Sequence, residues 1–402
     1  MHQHVLSYIV GWLEVIGWIG GTAGTVFFVT QVFLGIVALF HPSYVIQTWH
    51  IVVACIGLTG VGGVANYFIH AFRLLEGLIL FFSIGGFIVY VVVLLALGPR
   101  VDVYDTFFDF QDSQGWGSKC FAALVGLLGP IVTLMGADST SHLAEETVGA
   151  RKIVPRAMFV SIAISYSFGI MMNIVIMVVS TGYSEDLATR TGNAGIAIIY
   201  NATQSYAGTE VMCIILFLLL FWGLTNQIMA ASRVTWAFAR DGGLPGHKWL
   251  SKVNSGNVPN PAILTVLLGT CIVVLFPLAS TIALNIITSF NLAALTMAYL
   301  ICICVLVDAR VRKGTAEDLS MDDSHFPLPR WTVWIANIVG ICFLVLATIM
   351  LAFPAAPHPT AMSMNWTCVL LPGMVVFALA WYYLLGGKKN YVGPVDKLWI
   401  FV

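Results

Sequence analysis

Charged side chains are scarce in this sequence of 402 residues. Only 9% of the residues are Asp, Glu, Lys or Arg, whereas 59% are hydrophobic. Soluble domains carry roughly 25% charged residues, so this composition excludes an ordinary soluble domain and predicts a polytopic membrane protein. The formal net charge is -1. Because the chain has no run of basic residues, nothing in it favours nucleic acid as a partner.

Signals for metal binding, disulfides and cleavage are missing as well. The eight cysteines fall in or beside apolar segments, so we expect small buried side chains there, neither disulfides nor metal ligands. No HExxH motif is present, and we predict no metal and no cofactor. A membrane enzyme built on His142, Glu145 and Glu146 is therefore the least favoured hypothesis. No Lys or Arg precedes the first apolar run, which we expect to be a retained membrane span and not a signal peptide.

Ten apolar stretches are long enough to cross a bilayer, which takes about 20 residues in a helix. They cover residues 7–40, 46–66, 72–97, 120–145, 154–182, 209–239, 261–281, 284–307, 331–353 and 367–386. The boundary between the seventh and eighth stretches depends on Pro277, since 261–307 is nearly continuous. The sequence thus predicts an all-α protein with one transmembrane domain, residues 1–402, whose spans lie within 7–386 and whose tail is 387–402.

The basic residues set the orientation of these spans. With a cytoplasmic N-terminus, every Lys and Arg except Arg100, Lys119 and Arg190 falls on the cytoplasmic side. Cytoplasmic loops collect Lys and Arg. We therefore expect both termini in the cytoplasm.

The fourth stretch is interrupted by glycine, proline and an acid. Gly129-Pro130 removes a backbone donor, and Gly136 loosens the helix just before Asp138. A break at membrane depth is tolerated where it lines protein or a polar cavity, and broken helices mark binding sites in transporters. The alternative is a kinked helix whose charged end enters water. If the helix resumes after Gly136, Asp138, His142 and Glu145 share one face.

Glu14 is an acid inside the first span, and such an acid is a functional hypothesis by default. Two alternatives are that it reaches the interface or pairs with His4. In the eighth stretch, the segment 285–291 contains Thr288, Ser289 and Asn291, for which hydrogen bonds between helices are the simplest interpretation.

Small residues also follow a helical spacing in the first span. Gly17 with Gly21, and Gly20 with Gly24, are two overlapping pairs four residues apart. This spacing predicts that another helix packs closely against the first span.

Two segments resemble a known family. The run 136–146, GADSTSHLAEE, is followed by Pro155 and Ala157, and the run 232–245 reads SRVTWAFARDGGLP. Both are similar to segments of the amino acid-polyamine-organocation permeases, in particular the fungal amino acid, choline and GABA permeases. The resemblance runs from about residue 8 to the C-terminus. Ala137 stands where the family commonly has Phe, so the resemblance supports no aromatic gate there.

The resemblance implies a leucine-transporter-like fold, a five-plus-five inverted repeat followed by two further helices. The broken helices of that fold are the first and the sixth, whereas here the fourth stretch is broken. We therefore expect about ten helices, with the family's helices 1 and 2 lacking. The half of the binding site that the family's first helix supplies would then lack counterparts in this sequence.

The function implied is that of a secondary transporter, not an enzyme, for amino acids, GABA-like or choline-like solutes. It would work by alternating access, coupled to protons, in the plasma membrane or vacuolar membrane. The candidate substrate-binding residues are Thr133, Gly136, Ala137, Asp138 and Asn226, and the candidate proton-coupling residues are Asp138, His142 and Glu14. Trp12, Trp18 and Trp222 are available for an aromatic cage around a choline-like amine. The alternative is a truncated permease fragment that does not transport.

Overall fold

The computed structural model is all-helical in the part of the chain that it describes. The described residues are 2–41, 43–67, 69–101, 108, 112, 114–144, 147–180, 193–254, 256, 258–278, 283–313, 329–361 and 363–393. The helices are α1 (His2–Phe40), α2 (Thr48–Ala65), α3 (Ile69–Leu97), α4 (Lys119–Val125), α5 (Leu128–Leu134), α6 (Ser139–His142), α7 (Ala150–Val179), α8 (Ala194–Thr203), α9 (Tyr206–Arg240), α10 (His247–Leu250), α11 (Asn260–Val273), α12 (Ala283–Lys313), α13 (Arg330–Met350), α14 (Thr367–Leu384) and α15 (Gly387–Asn390).

Eight of these helices are long and apolar enough to cross a membrane, namely α1, α2, α3, α7, α9, α12, α13 and α14. The predicted class, an all-α polytopic membrane protein, is confirmed. The predicted fourth span is instead divided into α4, α5 and α6. The predicted seventh span ends early, since α11 has 14 residues and spans about 21 Å against a hydrocarbon core of about 30 Å.

Pro277 separates the seventh and eighth predicted stretches, as the sequence predicted. Helix α11 ends at Val273, and Pro277 lies in the 3₁₀ turn Phe276–Leu278. Helix α12 then begins at Ala283 and has 31 residues. Proline lacks a backbone N–H and fixes φ, which favours an end to the helix at this point.

Helix α1 is the centre of the bundle. It has 39 residues, which corresponds to about 58 Å, and it contacts α2, α9, α11, α12 and α14. Its buried side chains include Tyr8, Leu13 and Trp18, each at most 2% exposed. Five helices thus pack directly against this one.

The glycines of α1 allow close packing, as their spacing predicted. A side chain at Gly17 would contact Leu295 of α12, and one at Gly20 would contact Asn291. One at Gly24 would contact Thr288. Rising numbers on α1 meet falling numbers on α12, so the two helices cross in antiparallel directions.

The beginning of α1 and the segment after α14 lie on the same face of the bundle. Tyr391 donates a hydrogen bond from its hydroxyl to Ser7 Oγ at 3.0 Å, and Tyr8 donates to the carbonyl oxygen of Gly243 at 3.0 Å. The backbone N–H of Val392 donates to the carbonyl oxygen of Asp241 at 3.1 Å. The start of α1, the end of α9 and residues 387–393 thus form one packed unit. The rest of the predicted tail, 394–402, lies outside the described residues.

The cysteines differ from the prediction that all are buried. None of the eight forms a disulfide, but only Cys55 and Cys213 are buried. Five are exposed on the protein surface, because the outer faces of the spans are apolar and accept a small apolar side chain as readily as the core does.

Candidate functional site

The break in the fourth stretch lies between α5 and α6. Helix α5 ends at Leu134, Met135 is extended, and Gly136 has φ +104°. This is the left-handed region that glycine adopts far more readily than other residues. Asp138 occupies the N-cap position of α6 but makes no capping hydrogen bond with its side chain. The predicted interruption at Gly136 is confirmed.

The helix after the break is only one turn long. Helix α6 contains four residues, and the chain leaves it at Leu143. Asp138 and His142 do lie on one face, with His142 Nε2 and Asp138 Oδ2 3.3 Å apart. Glu145 and Glu146 lie outside the described residues. The prediction of a single kinked helix is therefore wrong, because helical segments end at Gly126, Met135 and Leu143.

Helix α1 adds a second acid to this pair. One carboxylate oxygen of Glu14, one of Asp138 and one ring nitrogen of His142 all lie within 4.8 Å of one another. The side chains of His142 and Asp138 are 18% and 14% exposed, so the cluster is mostly but not fully enclosed. Two carboxyl groups and an imidazole this close interact strongly, so the charge of each group affects the other two.

Trp18 completes the α1 side of the cluster. Its indole Nε1 donates a hydrogen bond to Glu14 Oε2 at 3.1 Å. Its ring meets the imidazole of His142 edge-on, with the ring centroids 5.2 Å apart. Pairing of Glu14 with His4 is wrong, since ten residues of helix separate them by about 15 Å.

Helix α12 covers Asp138 from another side. The hydroxyl of Tyr299 faces the Asp138 carboxyl group, whereas Asp138 Oδ1 is buried without a hydrogen-bond partner of good geometry. An unpaired buried carboxylate oxygen is costly and is a place where a proton or an external donor is stabilised. Asp138 Oδ1 is therefore an oxygen of the cluster that can accept a hydrogen bond.

Other predicted residues face a different element. Thr133, Gly136 and Ala137 line a cavity of about 170 Å³ together with Ser161 and Tyr166 of α7. The Thr133 hydroxyl donates to the carbonyl oxygen of Pro130 at 2.8 Å. Ser139 and Thr140 of α6 line the same cavity, so the broken segment presents one face to the acid cluster at α1 and another face to this cavity at α7.

Asn226 lies on α9, and its side-chain oxygen is buried without a hydrogen-bond partner. Helix α9 contacts α6, but no hydrogen bond to Asn226 Oδ1 is formed among the described residues.

The three tryptophans considered for an aromatic cage are separated by their contacts. Trp222 donates to Glu76 Oε1 of α3 at 3.2 Å. Trp12 packs edge-on against Phe377 with centroids 5.2 Å apart. Of these three, Trp18 alone contacts the acid cluster in the described part of the chain, so they form no shared cage.

Sequence reasoning missed the supporting groups of the cluster. Glu14 and Trp18 are four residues apart, and this spacing on one helix places them on the same face. That signal was present in the sequence. Tyr299 is 161 positions after Asp138 in the printed numbering, and no local pattern brings the two together.

Comparison with known proteins now identifies the family. The family model described as Amino acid permease matches residues 2–377. The chain belongs to the amino acid permease family. A predicted amino acid/polyamine transporter of Macrophomina phaseolina is 29% identical over 365 residues, which cover 90% of this chain and 80% of that protein. Amino-acid permease 2 of Neurospora crassa is also 29% identical, over 97% of this chain and 71% of its own length.

A choline transporter of Saccharomyces cerevisiae is 26% identical over 97% of this chain and 68% of its own length. The resemblance inferred from the motifs is confirmed by these matches. This amino acid permease is an integral, multi-pass membrane protein that transports amino acids or similar solutes, and it is not an enzyme.

Proposed function

We propose that this permease is a secondary transporter of amino acids, GABA-like or choline-like solutes that works by proton-coupled alternating access. The observation that carries the proposal is the cluster of Glu14, Asp138 and His142, which joins the broken helix to the central helix α1. Broken helices provide unwound backbone for solute binding in membrane transporters. The acid cluster provides groups that exchange protons.

The proposed roles of these residues follow the two faces of the broken segment. On one side, Thr133, Gly136 and Ala137 line the cavity at α7 and contact the solute. On the other side, Asp138 attracts a solute ammonium group or passes a proton to His142 and Glu14. An imidazole can accept a proton at one ring nitrogen and donate one from the other, which suits a proton relay. Asn226, with its unpaired oxygen, is proposed as a further solute contact.

Protonation would act on the contact between the break and α1. When both carboxyl groups are ionised they repel each other. A proton on Asp138 or Glu14 removes that repulsion, and a proton on His142 offsets it. The distance between α6 and α1 then depends on the proton. Opening and closing of this contact is the proposed step of alternating access, with the chain oriented so that both termini are cytoplasmic, in the plasma membrane or vacuolar membrane.

Uptake of labelled GABA, choline and amino acids tests the proposal in a transporter-deficient yeast strain that expresses the chain. We expect Asp138→Asn to reduce uptake at least tenfold, since one charge-assisted contact is worth about 1.5–3 kcal/mol. Asp308→Asn removes an exposed acid of α12 and is the matched control, for which we expect normal uptake. Equal uptake by wild type and Asp138→Asn would remove Asp138 from the mechanism.

Coupling needs a separate measurement. In vesicles that contain the purified chain, solute entry should acidify the lumen, and His142→Gln should weaken this proton signal more than solute binding. A wild-type chain that is inserted and folded but shows no uptake of any solute would instead favour the transport-incompetent alternative.

A further inference from the structure

A second group of polar side chains lies at the crossing of α1, α9 and α12, away from the acid cluster. Gly21 is seven residues beyond Glu14 on α1, about 10 Å along the helix axis. At this level the surface of α1 is bare backbone, because Gly20, Gly21 and Gly24 present no side chains to α12.

Polar atoms of two other helices converge on this bare surface. A Cβ placed on Gly21 would lie 2.7 Å from Gln227 Nε2 of α9 and 3.1 Å from Asn291 Oδ1 of α12. A Cβ on Gly24 would lie 3.6 Å from Thr288 Oγ1. Thr288 and Asn291 are three residues apart on α12, so their oxygens point to α1 one helical turn from each other.

These oxygens are buried without partners. Thr288 is only 7% exposed, and neither Thr288 Oγ1 nor Asn291 Oδ1 has a hydrogen-bond partner. The simple interpretation, hydrogen bonds that join helices, is not what the structure shows at these two atoms. Thr296, two turns further along α12, does form a hydrogen bond between helices, because its hydroxyl accepts from Thr348 of α13 at 3.0 Å. The same hydroxyl donates to the Ala293 carbonyl oxygen at 3.1 Å.

A buried oxygen without a partner is costly unless a ligand supplies the missing interaction. Uncharged amide and hydroxyl oxygens bind hard cations and N–H donors. Glu14 lies about 10 Å from Gly21 along α1, and an acidic group in the protein interior favours a positive ligand over an anion.

We propose that Thr288 and Asn291, facing Gly21 and Gly24 of α1, bind a compact cation. Its source is either the primary ammonium group of the transported solute or an alkali ion, since both satisfy oxygen acceptors in the same way. A quaternary ammonium group has no N–H to donate and is a poor ligand here. The first source deepens the proposed function and rests on it, whereas the second is independent of the solute.

The test uses the purified full chain in nanodiscs and follows its thermal unfolding during titration. The probes are methylammonium chloride, sodium chloride and tetramethylammonium chloride at constant ionic strength. We expect saturable stabilisation by methylammonium or sodium and none by tetramethylammonium. Thr288→Val should weaken the affinity for the active probe about tenfold, because a hydrogen bond or coordination bond to a charged group is lost.

Thr296→Val is the matched control. It removes a paired hydroxyl, so we expect a lower unfolding temperature but unchanged affinity. Thr288→Val removes an unpaired hydroxyl without changing the shape of the side chain, so its ligand-free unfolding temperature should stay the same or rise. This opposite pattern separates a ligand contact from a structural role.

Each outcome either identifies the source of the cation or overturns the proposal. Stabilisation by methylammonium alone assigns the site to the solute, and stabilisation by sodium alone assigns it to an ion. Equal affinity in wild type and Thr288→Val, equal binding of tetramethylammonium, or no saturable shift overturns the proposal. Because binding is measured without transport, failed uptake with intact binding would contradict the proposed function and leave this site standing.

Discussion

The indole of Trp18 donates a hydrogen bond to the Glu14 carboxylate at 3.1 Å while its ring packs edge-on against His142. One side chain of α1 thus contacts both an acid and an imidazole of the cluster. It fixes the position of Glu14 and fills the space beside His142.

Trp18→Phe should therefore reduce uptake. Phenylalanine keeps an aromatic ring beside His142 but removes the donor to Glu14. We expect initial uptake to fall about tenfold, because a hydrogen bond to a charged group, worth about 1.5–3 kcal/mol, is lost. The measurement is initial uptake of labelled solute. Trp12→Phe is the control, since Trp12 packs against Phe377 and Phe238, and an equal loss in both variants would contradict this role of Trp18.

Gly136→Ala should damage the break by backbone strain alone. Gly136 has φ +104°, yet no heavy atom lies within 4 Å of an added Cβ. We expect a loss of about 1–2 kcal/mol of stability, together with reduced uptake because Asp138 is displaced. Gly129→Ala, in the helical part of α5 and also in open space, should be neutral or slightly stabilising. Thermal unfolding and uptake of both variants check the prediction, and equal behaviour would show that the left-handed turn is dispensable.

Gly242→Ala should loosen the contact between the end of α9 and residues 387–393. Gly242 has φ +80°, and its added Cβ would collide with the carbonyl oxygen of Asn390. Gly246 has a similar φ of +69°, but no heavy atom lies within 4 Å of an added Cβ. Gly246→Ala therefore introduces only backbone strain, about 1–2 kcal/mol. We expect a larger fall in unfolding temperature for Gly242→Ala. Cleavage by an added protease after residue 387 should also become faster in that variant, and equal unfolding temperatures would argue against the contact.

Chelators should leave uptake unchanged. Although Glu14, Asp138 and His142 offer three ligand atoms within 4.8 Å, the proposed mechanism uses them for protons and not for a resident metal. Uptake measured before and after treatment with EDTA tests this, with zinc added back in a third sample. Loss of uptake in EDTA, restored by zinc, would show that the cluster holds a metal ion.

Composition and periodicity were sufficient for the class and for eight of the spans, because a bilayer demands long apolar helices. They were sufficient for the break as well, since Gly136 adopts a backbone conformation that other residues avoid. They failed where the structure depends on distant contacts. The approach of Tyr299 to Asp138 and the unpaired state of Thr288 depend on how helices cross, which no local pattern encodes.

The continuous helix α1 carries both polar regions. Glu14 and Gly21 belong to one rigid rod with an unbroken hydrogen-bond ladder, so the spacing between the two regions is fixed. The segment opposite Glu14 is interrupted at Gly136, whereas the element opposite Gly21 is the uninterrupted α12. In the proposed mechanism, a movement at Gly136 changes the surroundings of the carboxyl groups, while the glycine surface keeps its partners until α12 itself moves.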